Sequence, residues 1–223
     1  MNFSVERQVA AARWINVLAL LALLGVLAGS LHLQFGVGEQ PCPLCLVQRS
    51  GMIGLAVGPV LNLLWGIKAR NYAISILAGC VGAAGSVRQV FLHIANPADP
   101  GYGPEVFGMH LYTWAFVTFA VGVVGCAVLL LWNTPIVSGD QGVCNEPGRF
   151  RALTYAVVTW IFLDVVLIAV STIPECGLGM CPDDPTNIAG LDDVGGWLLI
   201  AAMGVISAVA GAFLDRRQSR NSH

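Results

Sequence analysis

The sequence predicts an all-α membrane protein built from six transmembrane helices. Of its 223 residues, 56% are hydrophobic and only 11% are charged, whereas about 25% of the residues of a soluble domain are charged. Six apolar segments are each about 20 residues long, the length at which a helix crosses the roughly 30 Å hydrocarbon core of a bilayer. Basic residues cluster in every second connecting segment, which indicates that all six segments cross the membrane.

The predicted spans are roughly residues 14–35, 46–66, 72–94, 109–132, 152–172 and 195–214. Many glycines and alanines lie inside them, and in lipid such small residues allow helices to pack closely. The first span follows a basic segment, as a signal peptide does, but its apolar run exceeds the roughly 7–15 residues usual there, so we predict a span. Pro59 is expected to kink the second span; the alternative is a helix end with a re-entrant loop.

The basic residues orient these spans. Nine of the eleven Lys and Arg residues flank the spans on one side, and the connecting segments of the opposite side contain none. The nine are Arg7, Arg13, Lys68, Arg70, Arg149, Arg151, Arg216, Arg217 and Arg220. Because cytoplasmic segments carry the excess of Lys and Arg, both chain termini are predicted to be cytoplasmic.

A Cys-x-x-Cys pair, Cys42 and Cys45, stands just before the second span. Two cysteines at this spacing can close and reopen a short disulfide, so the expected chemistry is thiol–disulfide exchange. Cys45 is predicted to lie at a helix N-terminus, where unpaired amides and the helix dipole favour its thiolate. Arg49 follows one turn later on the same face and adds a fixed positive charge.

The predicted topology sorts the seven cysteines. Cys42 and Cys45 fall on the outer side, as do Cys176 and Cys181 between the last two spans, and two close pairs are typical of an oxidising compartment. The others are interpreted as packing residues or an unreactive cytoplasmic thiol: Cys80, Cys126 and Cys144. Two alternatives for the outer four stay open, a zinc site with four thiolate ligands and purely structural disulfides.

Two motifs resemble the disulfide bond formation protein B (DsbB) family. Pro41-Cys42-Pro43-Leu44-Cys45 followed by Gln48-Arg49 resembles its signature, and Gly85-Ser86-Val87-Arg88-Gln89-Val90-Phe91-Leu92-His93 is similar to its third-helix pattern. The resemblance covers roughly residues 10–132. It implies a four-helix bundle of the bacterial inner membrane that oxidises a periplasmic DsbA-like thioredoxin-fold protein and reduces membrane quinone, either ubiquinone or menaquinone. It also implies that Cys42 and Cys45 form the redox pair, with Cys45 against the quinone ring and Arg49 beside it.

The chain departs from the family pattern after its third span. The family carries a second cysteine pair in the next outer loop, but residues 96–104 contain no cysteine, and Tyr102 stands where Cys-Gly-Pro is expected. We predict three parts: a DsbB-like core (1–133), a cytoplasmic loop (134–151) and an added two-span hairpin (152–223). The outer loop of this hairpin holds Cys176 and Cys181. This pair is hypothesised to replace the missing one as a partner-facing shuttle; alternatively, the partner exchanges directly with Cys42 and the added pair only braces its loop.

Other polar residues lie within or near the spans. Arg88 is predicted to flank the quinone head together with Arg49, unless each side chain snorkels to the interface. His93 lies near the outer boundary, where it would give protons to reduced quinone, ligate a haem or simply pack; the same alternatives apply to His32 and His110. Asp164, near the middle of the fifth span, is costly there unless paired or protonated, and is interpreted as a proton route or a partner of Arg88.

The predicted function is a quinone-dependent membrane thiol–disulfide oxidoreductase. Its predicted catalytic residues are Cys42, Cys45, Cys176 and Cys181, and its predicted quinone-binding residues are Arg49, Arg88 and His93. No phosphate-binding loop, paired catalytic carboxylates or Ser/His/Asp arrangement is evident, and nothing indicates nucleic-acid binding. Two alternatives remain: a non-enzymatic scaffold or carrier with structural disulfides, and an enzyme of the vitamin K epoxide reductase type, whose cysteine pair belongs near a late helix.

Overall fold

The computed structural model describes residues 3–95, 105–145, 149–176 and 191–221. These residues form seven α-helices, a two-stranded antiparallel sheet and two short helices of other types. The α-helices are α1 (Phe3–His32), α2 (Pro43–Trp65), α3 (Ala69–Ala95), α4 (Leu111–Leu130), α5 (Asn133–Val137), α6 (Arg149–Cys176) and α7 (Asp193–Asn221). The strands are β1 (Glu105–Val106) and β2 (Met109–His110), a π-helix covers Leu33–Val37, and a 3-10 helix covers Val143–Asn145.

Within the described residues, six helices are long and apolar enough to cross a membrane: α1 with its π-helical extension, α2, α3, α4, α6 and α7. The predictions of six spans and of an all-α membrane fold are therefore confirmed. Most helices extend beyond the predicted spans, because their polar end residues continue the helix outside the apolar run. The start of the fourth span differs, since Met109 and His110 lie in β2 and the helix begins at Leu111.

Helix α1 packs against both halves of the bundle. Its buried residues Val17, Leu20, Leu24 and Leu27 recur at the three- and four-residue spacing of one helix face. This helix contacts α2 on the side of the N-terminal helices and contacts both α6 and α7 of the C-terminal hairpin. The two halves therefore share one apolar core.

Small residues bring α2 and α3 close together around an aromatic ring of α4. A Cβ added to Gly51 would lie 2.8 Å from the Cα of Gly82, and one added to Gly82 would overlap the ring of Phe119. Glycine at both positions thus permits a backbone approach that any larger residue would prevent.

Helix α2 continues through Pro59, so the re-entrant alternative is wrong. Proline lacks an amide hydrogen and leaves the carbonyl four residues earlier without its helical partner. That carbonyl belongs to Leu55, and the Ser75 hydroxyl of α3 donates to it at 2.7 Å. The same hydroxyl accepts from the Gly58 amide at 3.1 Å. A neighbouring helix therefore replaces the hydrogen bond that Pro59 removes, as membrane helices require.

The bundle has a basic end, defined by Arg13, Lys68 and Arg151, where the connection after α5 is anchored. The Asp140 carboxylate is buried, pairs with Arg13 and accepts from the Ile67 amide at 3.2 Å. Arg151 at the start of α6 pairs with Asp215 near the end of α7. The first pair fastens the segment after α5 to the N-terminal helices, and the second joins α6 to α7 within the C-terminal hairpin.

A short hairpin precedes α4 at the opposite end, which we call the cysteine end (His32, Cys42 and Asp193). Phe107 and Gly108 have φ angles of 52° and 74° between β1 and β2, the left-handed pair typical of a type I′ turn. Trp114 of α4 donates its indole N–H to the Val106 carbonyl at 2.9 Å and thereby fastens β1 over the start of α4.

Candidate functional site

The cysteine pair lies at the first turn of α2. Pro43 occupies the first helical position, where its missing amide hydrogen costs nothing and its fixed φ suits the helix. Cys42 is the N-cap residue, and its sulfur accepts the Cys45 amide hydrogen at 3.1 Å. The two cysteines form a disulfide, with their Cα atoms 5.0 Å apart. Since both sulfurs are used in this bond, they do not offer the thiolates that the zinc alternative needs.

The helix N-terminus acts on a different sulfur from the one expected. The sequence predicts that the helix amides favour a thiolate on Cys45, but in the structure the Cys45 amide donates its hydrogen bond to the sulfur of Cys42. The reason is that α2 begins at Pro43, one turn earlier than predicted, so Cys42 is the residue that precedes the helix. The side chain of an N-cap residue reaches the amide three positions later, which here is that of Cys45.

Two buried glutamines complete the surroundings of the Cys42 sulfur. The Gln89 side chain donates to it at 3.4 Å and lies 4.0 Å from the Cys45 sulfur. Gln48 donates to the Gln89 carbonyl oxygen at 2.8 Å, which fixes the direction in which the Gln89 amide points. Cys42 is itself buried, at 6% exposure, so its sulfur is enclosed by these donors.

Arg49 is held inside the bundle by α1 and its π-helical extension. Its guanidinium donates to the Gln34 side-chain oxygen at 2.6 Å and to the Ser30 carbonyl at 2.9 Å. Arg49 is only 7% exposed, and Gln34 is 1% exposed. The side chain therefore does not snorkel to the interface, and its charge is fixed in position within the protein.

A cavity of about 690 Å³ connects these groups. Both Cys45 and Arg49 lie in its wall, together with Gln48 and Gln89. The remaining wall is largely apolar and comes from α1 and its π-helical extension, residues 39–41, β1, the first turns of α4, and α7 through Trp197. A cysteine of the disulfide and a buried positive charge thus face one cavity of the size usual for cofactor pockets.

The other predicted quinone-binding residues lie farther from this cavity. Arg88 is exposed on α3 and is absent from the cavity wall. The His93 ring is 4.8 Å from the ring of His110 and 6.1 Å from that of Tyr112, measured between centroids. Tyr112 does line the cavity, so His93 lies behind the wall rather than in it.

The second cysteine pair is only half described. Cys176 is the last residue of α6 and takes part in a disulfide. Cys181 lies outside the described residues.

Asp164 is fully buried in α6, and neither carboxylate oxygen has a hydrogen-bond partner in the part of the chain that the structure describes. Arg88 is exposed, so its position does not support the predicted pairing of Arg88 with Asp164.

The sequence alone did not single out three residues of the site: Gln34, Gln89 and Trp197. The two glutamines carried a signal, because an uncharged polar residue inside an apolar span needs a hydrogen-bond partner there. Trp197 resembled an ordinary interfacial aromatic near a span end. Only the packing of α7 against the end of α1 shows that its ring reaches the cavity.

Comparisons with known proteins agree on one family. The family model described as "Disulfide bond formation protein DsbB" matches residues 12–101. A disulfide bond formation protein B of Polaromonas sp. is 34% identical over 161 residues, covering 69% of this chain and 85% of that protein. The protein of the same name from Burkholderia thailandensis is 28% identical over 164 residues, covering 59% of this chain and 94% of that protein.

A third relative matches over a shorter stretch. The disulfide bond formation protein B of Marinobacter nauticus is 37% identical over 101 residues, which are 43% of this chain and 60% of that protein. No solved structure gives a significant match to the chain.

Proposed function

Because the chain belongs to the disulfide bond formation protein B (DsbB) family of membrane proteins, we propose that it is a quinone-linked thiol–disulfide oxidoreductase. It takes electrons from the dithiol of a DsbA-like thioredoxin-fold protein on the periplasmic side of the bacterial inner membrane and passes them to the quinone pool. The observation that carries the proposal is the single cavity whose wall contains both Cys45 and Arg49.

The residues of the cavity fit a quinone. Its volume of about 690 Å³ and its largely apolar wall suit a planar ring with an isoprenoid tail. Gly25 and Val26 are exposed on α1 and also line the cavity, so the cavity opens sideways toward lipid, where a tail would extend. Arg49 supplies the positive charge that favours electron density on a ring oxygen. A bound quinone would supply an acceptor for two electrons and two protons.

The cysteine pair has an asymmetric environment that suits electron transfer in one direction. When the disulfide is reduced, the Cys45 amide and the Gln89 side chain are placed to stabilise a thiolate on Cys42. Cys45 lines the cavity and is the cysteine that faces the acceptor. Reforming the Cys42–Cys45 bond releases two electrons and two protons, and the acceptor takes up both, so no further reductant is required.

The partner-facing step is assigned to Cys176 and Cys181. Cys42 is buried beneath the Gln89 amide, which hinders attack by a thiolate on a folded partner. A thiol of the same chain meets a smaller steric barrier than a thiol of a separate folded protein. Cys176 already takes part in a disulfide, which is the oxidised state from which a shuttle begins.

The periplasmic side is assigned from the charge distribution. Arg13, Lys68 and Arg151 lie at the basic end, and the Cys42–Cys45 pair lies at the cysteine end, across the length of the helices. Cytoplasmic segments of inner-membrane proteins carry the excess of basic residues. The cysteine end therefore faces the periplasm in this proposal.

The experiment combines purified protein, decylubiquinone and a reduced DsbA-type protein, and follows partner thiols and quinone absorbance together. Cys42→Ser and Cys45→Ser are each expected to abolish both signals, whereas Cys80→Ser, an exposed cysteine of α3, serves as the matched control. Full activity of Cys45→Ser would contradict the proposal and favour the scaffold alternative.

The shuttle is tested separately with the Cys176→Ser/Cys181→Ser protein. It is expected to lose most oxidation of the DsbA-type protein but to keep quinone reduction by dithiothreitol, a small dithiol that reaches Cys42 directly. Undiminished oxidation of the protein partner would contradict the shuttle role of Cys176 and Cys181. The partner would then exchange directly with Cys42.

A further inference from the structure

We infer that the C-terminal hairpin forms part of the quinone site, with Trp197 of α7 as a binding residue. His32, Asp193 and Gly196 act as positioning residues that hold the Trp197 ring in the wall. The inference rests on the proposed function, because it assigns further residues to the same cavity. The family model ends at residue 101, so Trp197 belongs to a part of the chain that the family pattern does not describe.

The first observation is the position of the Trp197 ring. It lines the cavity that Cys45 and Arg49 also line. The ring stacks on that of His32, with centroids 4.2 Å apart and an interplanar angle of 27°. Trp197 nevertheless stays 54% exposed. One part of the indole is thus fixed against α1, and the rest offers a flat apolar surface to a planar ring or its tail.

The second observation is a polar contact between Asp193 and His32 that orients this stack. The Asp193 carboxylate, in the first turn of α7, accepts from Nε2 of His32 at 3.0 Å. The Asp193 side chain is 72% exposed, so solvent screening makes the contact weak as a source of stability. Its effect is geometric, since it restricts rotation of the His32 ring against which Trp197 stacks.

The third observation is the close backbone approach between α7 and the π-helix that follows α1. A Cβ added to Gly196 would lie 2.7 Å from the Cα of Gly36 and 2.8 Å from Nδ1 of His32. Any side chain at residue 196 would therefore push α7 away from α1. Trp197 is the next residue along α7, so that displacement would move its ring out of the wall.

The consequence concerns quinone affinity rather than the chemistry of the cysteines. Removing the Trp197 ring takes away contact surface, while the Cys42–Cys45 pair and Arg49 are held by α1, α2 and α3. The KM for quinone is therefore expected to rise and kcat to change little. A loss of about fivefold to tenfold in affinity corresponds to one aromatic contact.

The experiment uses the full-length protein in detergent with decylubiquinone as the probe. Binding to the oxidised protein is measured by quenching of tryptophan fluorescence, because Trp114 also lines the cavity and remains in every variant. Trp197→Ala is expected to weaken binding and raise KM by about fivefold to tenfold, and Trp197→Phe is expected to restore most of both. Phe213→Ala is the matched control, since Phe213 is 62% exposed on the same helix.

A second variant tests the positioning residues. Gly196→Ala is expected to raise KM with kcat nearly unchanged, whereas Gly125→Ala, where an added Cβ meets no atom within 4 Å, is expected to have no effect. Wild-type affinity in both Trp197→Ala and Gly196→Ala would overturn the inference while leaving the proposed function intact. A wild-type protein that neither binds nor reduces decylubiquinone would overturn both.

Discussion

Replacement of Gln89 by Leu is expected to lower the reduction potential of the Cys42–Cys45 pair. Gln89 is 8% exposed and donates to the Cys42 sulfur at 3.4 Å. A neutral disulfide sulfur is a weak acceptor, whereas a thiolate is a strong one, so the amide stabilises the reduced form more. Leucine cannot donate a hydrogen bond, and the reduced form loses this stabilisation.

The expected size follows from the energy of one hydrogen bond to a charged group. Such a bond contributes about 1.5–3 kcal/mol. For a two-electron thiol–disulfide couple, about 30 mV corresponds to about 1.4 kcal/mol. The potential of the pair in Gln89→Leu is therefore expected to be more negative by about 30–60 mV. Reduction of the pair by a partner becomes less favourable, and transfer onward to quinone becomes more favourable.

The assay equilibrates purified protein with dithiothreitol buffers of defined potential, blocks free thiols and quantifies the peptide with Cys42 and Cys45 by mass spectrometry. This separates the pair from Cys176, which belongs to another peptide. Ser86→Ala is the matched control, because Ser86 is buried one turn earlier on α3 and its hydroxyl donates to the Gly82 carbonyl rather than to a cysteine sulfur. Equal potentials for wild type, Gln89→Leu and Ser86→Ala would refute the stabilising role of the amide.

Three further predictions concern stability and binding. Ser75→Ala is expected to destabilise the protein by about 1–3 kcal/mol in detergent unfolding, because it leaves the carbonyl freed by Pro59 without a donor, and to cost less in a Pro59→Ala background; equal costs in the two backgrounds would contradict this. Asp140→Asn is expected to cost about 3–5 kcal/mol in the same measurement, because it leaves the buried Arg13 charge without its carboxylate; an unchanged midpoint would argue against the anchor. Arg49→Lys is expected to raise the KM for decylubiquinone, since an ammonium group does not reproduce the two directed bonds to Gln34 and Ser30; an unchanged KM would show that any positive charge suffices.

The helices could be predicted from the sequence because a helix needs about 20 apolar residues to cross the bilayer, and six segments have about that length. What the pattern could not supply was the exact start of α2, since Pro43 favours the first helical turn although it lies outside the apolar run. That difference of one turn decides whether the sulfur of Cys42 or that of Cys45 accepts a hydrogen bond from a helix amide.

The part of the site formed by residues close in sequence could be predicted, whereas the part formed by residues far apart in sequence could not. Cys45 and Arg49 are one helical turn apart, so their common face follows from helix geometry. The partners of Arg49 depend on packing between helices, as Gln34 lies 15 residues earlier and in a π-helix that the sequence did not indicate. Trp197 and Cys45 are far apart in sequence, so the cavity that they share also depends on packing between helices.

Electrons are proposed to leave the Cys42–Cys45 pair through Cys45 into the cavity beside Arg49. The measurement mixes the fully reduced Cys176→Ser/Cys181→Ser protein, freed of excess reductant, with decylubiquinone in a single turnover, so that no second dithiol can reduce the pair again. Quinone absorbance and the thiols of the Cys42–Cys45 peptide are quantified in the same samples. One quinone reduced for each Cys42–Cys45 disulfide formed, and none reduced by Cys45→Ser, is the predicted result. Quinone reduction without loss of these two thiols, or at an equal rate in Cys45→Ser, would contradict the claim.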